Sequence, residues 1–260
     1  MFKKKIKNIL KKKGKKSIIC LTAYSKPIAE ILDKHCDIIL VGDSVGMVLY
    51  GEKSTREVKL ETMLLHAKAV KKSTKNSLVV VDMPYKTYTN KSTAYKNAKK
   101  IIKNTKCDAV KVEGGKKISN IIKYLVKKKI PVMGHIGLLP QYSVRYQTQG
   151  KNEKEKKNIL NDAMMLEKSG VFAIVIECVY EDLAKKITKS ISVPTIGIGA
   201  SKHCDGQILV TDDMLGLSNF TPKFVKKYSN IRKVIENSVK KYCSDVSSKK
   251  FPSSKNVYNL

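Results

Sequence analysis

A chain of 260 residues with 42% hydrophobic content can bury roughly 70–75% of its unfolded surface, and strand–helix barrels reach this length as one domain. The net charge of +30 comes from 52 Lys and Arg against 22 Asp and Glu. No stretch approaches the ~20 uncharged apolar residues of a membrane-spanning helix, and the start MFKKKIKNILKKKGKKS has no signal-peptide apolar region, so no such helix is expected and the protein is expected to stay in the cytosol.

That start reads as a lysine-rich helix. Val- and Ile-rich runs follow at 17–22, 37–41, 78–82, 109–113, 131–135, 173–177, 193–198 and 207–210. None alternates polar with apolar, so each reads as a parallel strand buried on both faces. Amphipathic stretches at 60–72, 93–104, 118–128, 156–169 and 181–190 supply crossover helices. Eight strands in β-α order close a barrel, and the predicted fold is α/β, a single-domain (β/α)8 TIM barrel over 1–243. Residues 138–152 form a longer polar connection, 221–243 a final helical region opened by Pro222, and 244–260 a tail expected to be partly disordered.

The positive charge recurs through nearly every predicted helix, as at Lys71, Lys72, Lys99, Lys100 and 127–129, with little Arg and few interleaved aromatics. Nucleic-acid readers prefer Arg, so this pattern favours solvated outer faces over a dedicated polyanion site. The six Cys, at 20, 36, 107, 178, 204 and 243, show no CxxC or Cys/His ligand spacing and read as reduced and structural.

In such barrels the chemistry sits at the C-terminal ends of the strands. Here the apolar runs end at Asp43, Asp82, Glu113, His135 and Glu177. Any one Asp there is equally well a loop or helix cap, but carboxylates at three consecutive strand ends repel one another unless a cation offsets them. A hard divalent ion such as Mg²⁺, bound by one or two carboxylates directly and by others through water, is the simplest answer. Strand alternation puts Lys111 on the same face as Glu113, either to bind an anionic substrate or as a structural ion pair with Glu113 or Asp82. Ser44 and the amides of VGDSVG (41–46) offer a carboxylate site. Glu177, across the mouth over an expected apolar floor, is the candidate general base, and His135 reads as a substrate ligand or as a structural histidine. IGIGAS (196–201) has the look of a phosphate cradle, or of glycines making room for a ligand.

The motifs LTAYSKPIA (21–29), VGDSVGMVLYG (41–51), VVVDMPY (79–85), VKVEGG (110–115), GHIGLLPQ (134–141), IECV (176–179), VPTIGIGA (193–200) and CDGQILV (204–210) together resemble the ketopantoate hydroxymethyltransferases along nearly the whole chain. The resemblance implies that Asp43, Asp82 and Glu113 surround Mg²⁺, that Ser44 and Lys111 hold a 2-oxo acid, and that Glu177 accepts a proton. It implies transfer of a hydroxymethyl group from 5,10-methylenetetrahydrofolate to 3-methyl-2-oxobutanoate through a Mg-stabilised enolate, giving 2-dehydropantoate for pantothenate synthesis. It also implies a homo-oligomer, often a decamer. Two places depart from the family pattern: QYSVRYQTQG (141–150) is shorter and lacks paired glycines, and Ser201 stands where glycine is usual. Rival readings are a related Mg-dependent 2-oxo acid lyase or mutase, which would favour a reactive loop cysteine, and a basic nucleic-acid-binding protein. Alternation points Cys178 away from the barrel interior, which makes it a poor acid.

Overall fold

A computed structural model describes residues 2–143, 146–219 and 221–258. Val144 and Arg145, within the expected connection, and Asn259 and Leu260, within the expected tail, lie outside the described residues. The chain runs α1 (Phe2–Lys11), β1 (Ile18–Thr22), α2 (Lys26–Leu32), β2 (Ile38–Val41), α3 (Val45–Leu49), α4 (Leu60–Ser73), β3 (Leu78–Asp82), α5 (Lys91–Thr105) and β4 (Ala109–Glu113). It continues with α6 (Ser119–Lys127), β5 (Val132–Gly137), α7 (Glu153–Lys168), β6 (Ala173–Glu177), α8 (Glu181–Ser190), β7 (Thr195–Ile198), β8 (Gly206–Leu209), α9 (Thr211–Met214) and α10 (Ile231–Ser247). The eight strands close, all parallel and in chain order, into a (β/α)8 barrel.

Every residue of β2, β3 and β4 is buried, as expected of strands with a packed face on each side. Alternation then divides them. Ile38, Leu40, Leu78, Val80, Ala109, Met133, Ala173 and Val175 fill the barrel interior, while Ile39, Val41, Val79, Val81, Val110 and Val112 pack outward in the core that the helices share. The inward series Leu78, Val80, Asp82 turns polar at its last member, and so does Ala173, Val175, Glu177; the series Ala109, Lys111, Glu113 turns polar one residue earlier. An apolar floor and a charged rim follow from that parity.

The opposite end is closed by α1, whose Ile9 is buried within the interior cluster. Removing one such side chain from water contributes about 2 kcal/mol. The lysines of this segment are not all solvated, contrary to the sequence expectation. Lys5 donates to the Ser77 carbonyl at 2.7 Å, Lys12 pairs with Asp37 at 2.5 Å, and Lys13 pairs with Asp205 at 2.8 Å. Four aspartates gather near the strand starts. Asp33 accepts the N–H groups of Lys75, Asn76 and Ser77, Asp37 that of Ile19, Asp108 that of Val79, and Asp205 those of Gly14 and Thr195. Each ties down an amide in or beside a strand that has no ladder partner of its own.

The chain divides into compact units at 2–210 and 211–258, so the barrel ends well before the expected boundary at 243, which falls inside α10. Pro222 does not open a helix. Within the second unit 222–225 makes a turn closed by Val225 N–H on the Pro222 carbonyl, Tyr228 N–H and Ile231 N–H bond the Met214 and Leu215 carbonyls, and Asn230 caps α10 by accepting the Lys233 N–H. Among the described residues no helix is long and apolar enough to cross a membrane.

Candidate active site

The charged rim is a continuous chain of contacts set by strand register. Asp82 is the register partner of Lys111, and Lys111 Nζ lies 2.9 Å from Asp82 Oδ1 and 3.5 Å from Glu113 Oε1. Glu113 is paired in turn with His135, whose Nδ1 lies 3.2 Å from Glu113 Oε1 while its Nε2 lies 3.2 Å from Glu177 Oε2. On the other side the Asp43 N–H donates to Asp82 Oδ2 at 3.1 Å. Gly42 leaves room for the Ser44 hydroxyl, since a Cβ there would stand 2.9 Å from Ser44 Oγ. Ser44 occupies the N-cap position of α3 without capping it; its hydroxyl instead meets Tyr24 OH at 2.7 Å. All seven residues singled out from the sequence therefore meet at one mouth.

His135 is not the last residue of its strand, as the sequence reading had it. β5 runs on to Gly137, and His135 sits one layer deeper. It is also the floor under Glu177, where an apolar surface was expected. Glu177 itself is fixed through its backbone: Leu138 N–H donates to its carbonyl at 2.8 Å, and Gly137, at φ +90°, leaves room that a Cβ would close to 2.3 Å from the same oxygen.

Four carboxylates, Asp43, Asp82, Glu113 and Glu177, face two basic groups here. Burial pushes the Asp43 carboxyl well above its usual range, and the neighbouring Asp82 and Glu113 add to it. Burial opposes charge on Lys111 too, but Asp82, Glu113 and Asp43 together hold its ammonium pKa above the ordinary value. Against the same penalty, His135 and Lys111 hold Glu113 down to about 2, and Glu113 carries His135 up to about 9. The mouth thus sets four carboxyl groups against two basic side chains, a donor set that suits a divalent cation. Asp82 Oδ1 is buried and already faces a cation, the Lys111 ammonium at 2.9 Å. Among the described residues no three His, Cys, Asp or Glu side chains converge as a metal cage. Glu113 commits Oε1 to Lys111 and His135 and Oε2 to the Gln141 N–H at 3.1 Å, and Asp82 meets Lys111 through Oδ1 and the Asp43 N–H through Oδ2. Asp43, paired with no basic side chain among the described residues, is the carboxylate freest to touch a metal, and Asp82 beside it would do so by exchanging its Lys111 contact.

Several neighbours escaped the sequence reading. Gln141 is 1% exposed and bonds Asp43, and Tyr24 steadies Ser44 while its carbonyl meets His66 Nδ1 at 2.6 Å. Both lie inside quoted motifs, but neither ends an apolar run, so nothing in the strand pattern marks them. Within the IGIGAS stretch Gly197 lies inside β7 and makes room for the side chains of Gln207 and Cys204, which a Cβ there would meet at 3.0–3.1 Å. At Cys178 burial and the Glu177 charge push the thiol up to about 12, so it is a poor acid.

A family model described as ketopantoate hydroxymethyltransferase matches residues 3–254. A 3-methyl-2-oxobutanoate hydroxymethyltransferase of Pelagibacter ubique is 57% identical over 255 residues, covering 98% of this chain and 99% of that one. The enzyme of the same name from Anaplasma marginale (strain Florida) is 48% identical, covering 98% and 93%. Among solved structures, a phosphonopyruvate hydrolase superposes with a TM-score of 0.65 at 11% identity over 98% and 92% of the two chains. A 2,3-dimethylmalate lyase of the PEP mutase/isocitrate lyase superfamily does so at 0.63 and 11% over 80% of each. Identity that low carries the fold alone, whereas the family model and the sequence relatives run the length of the chain: it belongs to the ketopantoate hydroxymethyltransferase family.

Proposed function

We propose that this protein transfers a hydroxymethyl group from 5,10-methylenetetrahydrofolate to 3-methyl-2-oxobutanoate, giving 2-dehydropantoate and tetrahydrofolate in the committed step toward pantothenate. The observation that carries the reading is the unbroken run Asp43, Asp82, Lys111, Glu113, His135, Glu177, which offers cation ligands, an anion-binding ammonium and a base at one mouth. Support for Mg²⁺ comes also from a structural neighbour, a phosphonopyruvate hydrolase solved with oxalate and Mg²⁺. Asp43 and Asp82 would hold the ion, with Glu113 acting through water; when bound, Mg²⁺ polarises the 2-oxo group and so acidifies C3.

Lys111 and Ser44 bind and orient the oxo acid. Glu177 takes the C3 proton, and His135, held between Glu113 and Glu177, aims that carboxylate. The carbon so freed forms a bond to the folate methylene, both carbon–nitrogen bonds of that methylene break in turn, water supplies the hydroxyl oxygen, and the C3 proton and a proton from water end on the two folate nitrogens. Folate's anionic glutamate tail suits a surface carrying +30, so its Michaelis constant should rise with salt; no salt dependence would sink that part. A cytosolic homo-oligomer, a decamer by family pattern, completes the reading and is tested by sedimentation.

The test is loss of the C3 proton signal of 3-methyl-2-oxobutanoate in D₂O, followed by NMR with and without Mg²⁺ and with and without tetrahydrofolate. Metal-dependent exchange is expected in the wild type. Glu177→Gln should retain Mg²⁺ and oxo acid binding and lose the exchange; an exchanging variant moves the base elsewhere.

A further inference from the structure

Gln141 has every polar atom engaged, and its partners are the metal-site carboxylates and their supports. Its Nε2 donates to Asp43 Oδ2 at 2.7 Å and to the Met83 carbonyl at 3.0 Å. Its Oε1 accepts from Tyr88 OH at 2.5 Å, its backbone N–H donates to Glu113 Oε2 at 3.1 Å, and its carbonyl accepts from Arg56 Nε at 2.9 Å. The amide has one favoured orientation. Flipping it would set Oε1 against the Met83 carbonyl, which only accepts, and would lose the short bond from Tyr88 OH. Tyr88 is positioned in its own right, since its oxygen accepts the Glu113 N–H at 3.3 Å. One residue therefore grips carboxylates from two strand ends, Asp43 through its side chain and Glu113 through its backbone. Its side chain adds no charge to a mouth already crowded with it.

We propose that Gln141 is a positioning residue for the divalent-cation site, fixing Asp43 by one oxygen so that the other is presented to the ion. The assignment rests on the reading that Asp43 and Asp82 hold Mg²⁺. A donor to a ligating carboxylate sets that ligand's direction before the ion arrives, and loss of such a partner typically weakens metal binding 10- to 100-fold. Arg56 and Tyr88 lock the backbone and the amide of Gln141, so the grip is already formed in the free protein.

The experiment is Mn²⁺ binding to the full-length protein without substrate, read by electron paramagnetic resonance, for wild type, Gln141→Met and Tyr88→Phe. Gln141→Met keeps side-chain length and removes the amide; it should bind Mn²⁺ roughly 10- to 100-fold more weakly while its thermal midpoint stays near wild type. Tyr88→Phe, which frees Oε1 but leaves the donor, should weaken binding in the same direction by less. A folded Gln141→Met with wild-type Mn²⁺ affinity overturns the proposal. Should that variant not fold, Tyr88→Phe decides, and unchanged affinity there overturns it. Wild-type protein that binds no Mn²⁺ overturns the metal reading itself, an outcome distinct from unchanged affinity in the variants.

Discussion

Replacing Gly137 with Ala should separate what holds Glu177 in place from what Glu177 does. The new Cβ would stand 2.3 Å from the Glu177 carbonyl oxygen and 2.5 Å from Val179 Cγ2, inside the 3.0 Å limit that real Cβ atoms respect. Relief requires the end of β6 to move by about 0.7 Å or more, away from the Leu138 N–H that donates to the same oxygen. The φ of +90° costs an alanine about 1–2 kcal/mol, and a weakened hydrogen bond adds about 1 kcal/mol. At roughly 2–4 °C per kcal/mol for a chain of this size, the thermal midpoint should fall by about 5–10 °C. The effect on turnover should be larger. Misplacing a reacting group by ~1 Å costs on the order of 100-fold, so kcat and C3 proton exchange should both drop by about that factor at temperatures where the variant is folded. Gly14→Ala is the control. Gly14 has a positive φ of +63° but nothing within 4 Å of where a Cβ would stand, so its alanine variant carries backbone strain alone and keeps its kcat. Wild-type kcat in Gly137→Ala, beside the expected loss of stability, would refute the claim that this contact positions the base.

Two pH effects follow from opposite ends of the barrel. At Asp205 burial raises the carboxyl pKa, but Lys13 and the Thr195 and Gly14 amides outweigh it and hold the group below its ordinary value. Its stabilisation is therefore complete above about 3.9 and is lost as pH falls through the lower folded value. Asp205→Asn should melt earlier at pH 7, and the gap to wild type should close in acid; a gap independent of pH would contradict the assignment. His135 has the opposite sign. In the metal-free protein its pKa, raised by Glu113 to about 9, gives stability present below about 6.5 and lost as pH rises through 9. Thermal melts of His135→Gln between pH 6 and 10 should be flatter than those of wild type, and parallel curves would count against a charged His135.

The barrel was readable because its strands are buried on both faces. Runs such as 78–82, 109–113 and 173–177 coincide with β3, β4 and β6, since continuous Val and Ile leave no other way to hide both sides of an extended chain. The rim was readable for the same reason, because a carboxylate ending such a run interrupts it visibly. α2 and α3 are too short for their periodicity to stand out, and β5 extends past His135 into Ile136 and Gly137, residues whose place in the ladder is set by pairing with Ile176 and Glu177 rather than by composition. Gln141 and Tyr24 belong to loops whose path is fixed by tertiary hydrogen bonds, and these leave no periodic trace. The aspartates at the strand starts stand among polar connecting residues, where composition does not distinguish a clamp from a solvated side chain.

Those lower aspartates, Asp33, Asp37, Asp108 and Asp205, are each neutralised or bonded locally, whereas Asp43, Asp82 and Glu113 above crowd one another. One residue type thus serves as a clamp at one end of the barrel and as stored conflict at the other. A neutral residue at Asp43 would relieve the conflict and leave the clamps untouched, so in the metal-free protein activity and robustness trade against each other at the rim alone. An apo-protein that has lost its chemistry by such a change should melt later than the active parent, and the rim is where stabilising but silencing substitutions would accumulate if the need for turnover were lifted.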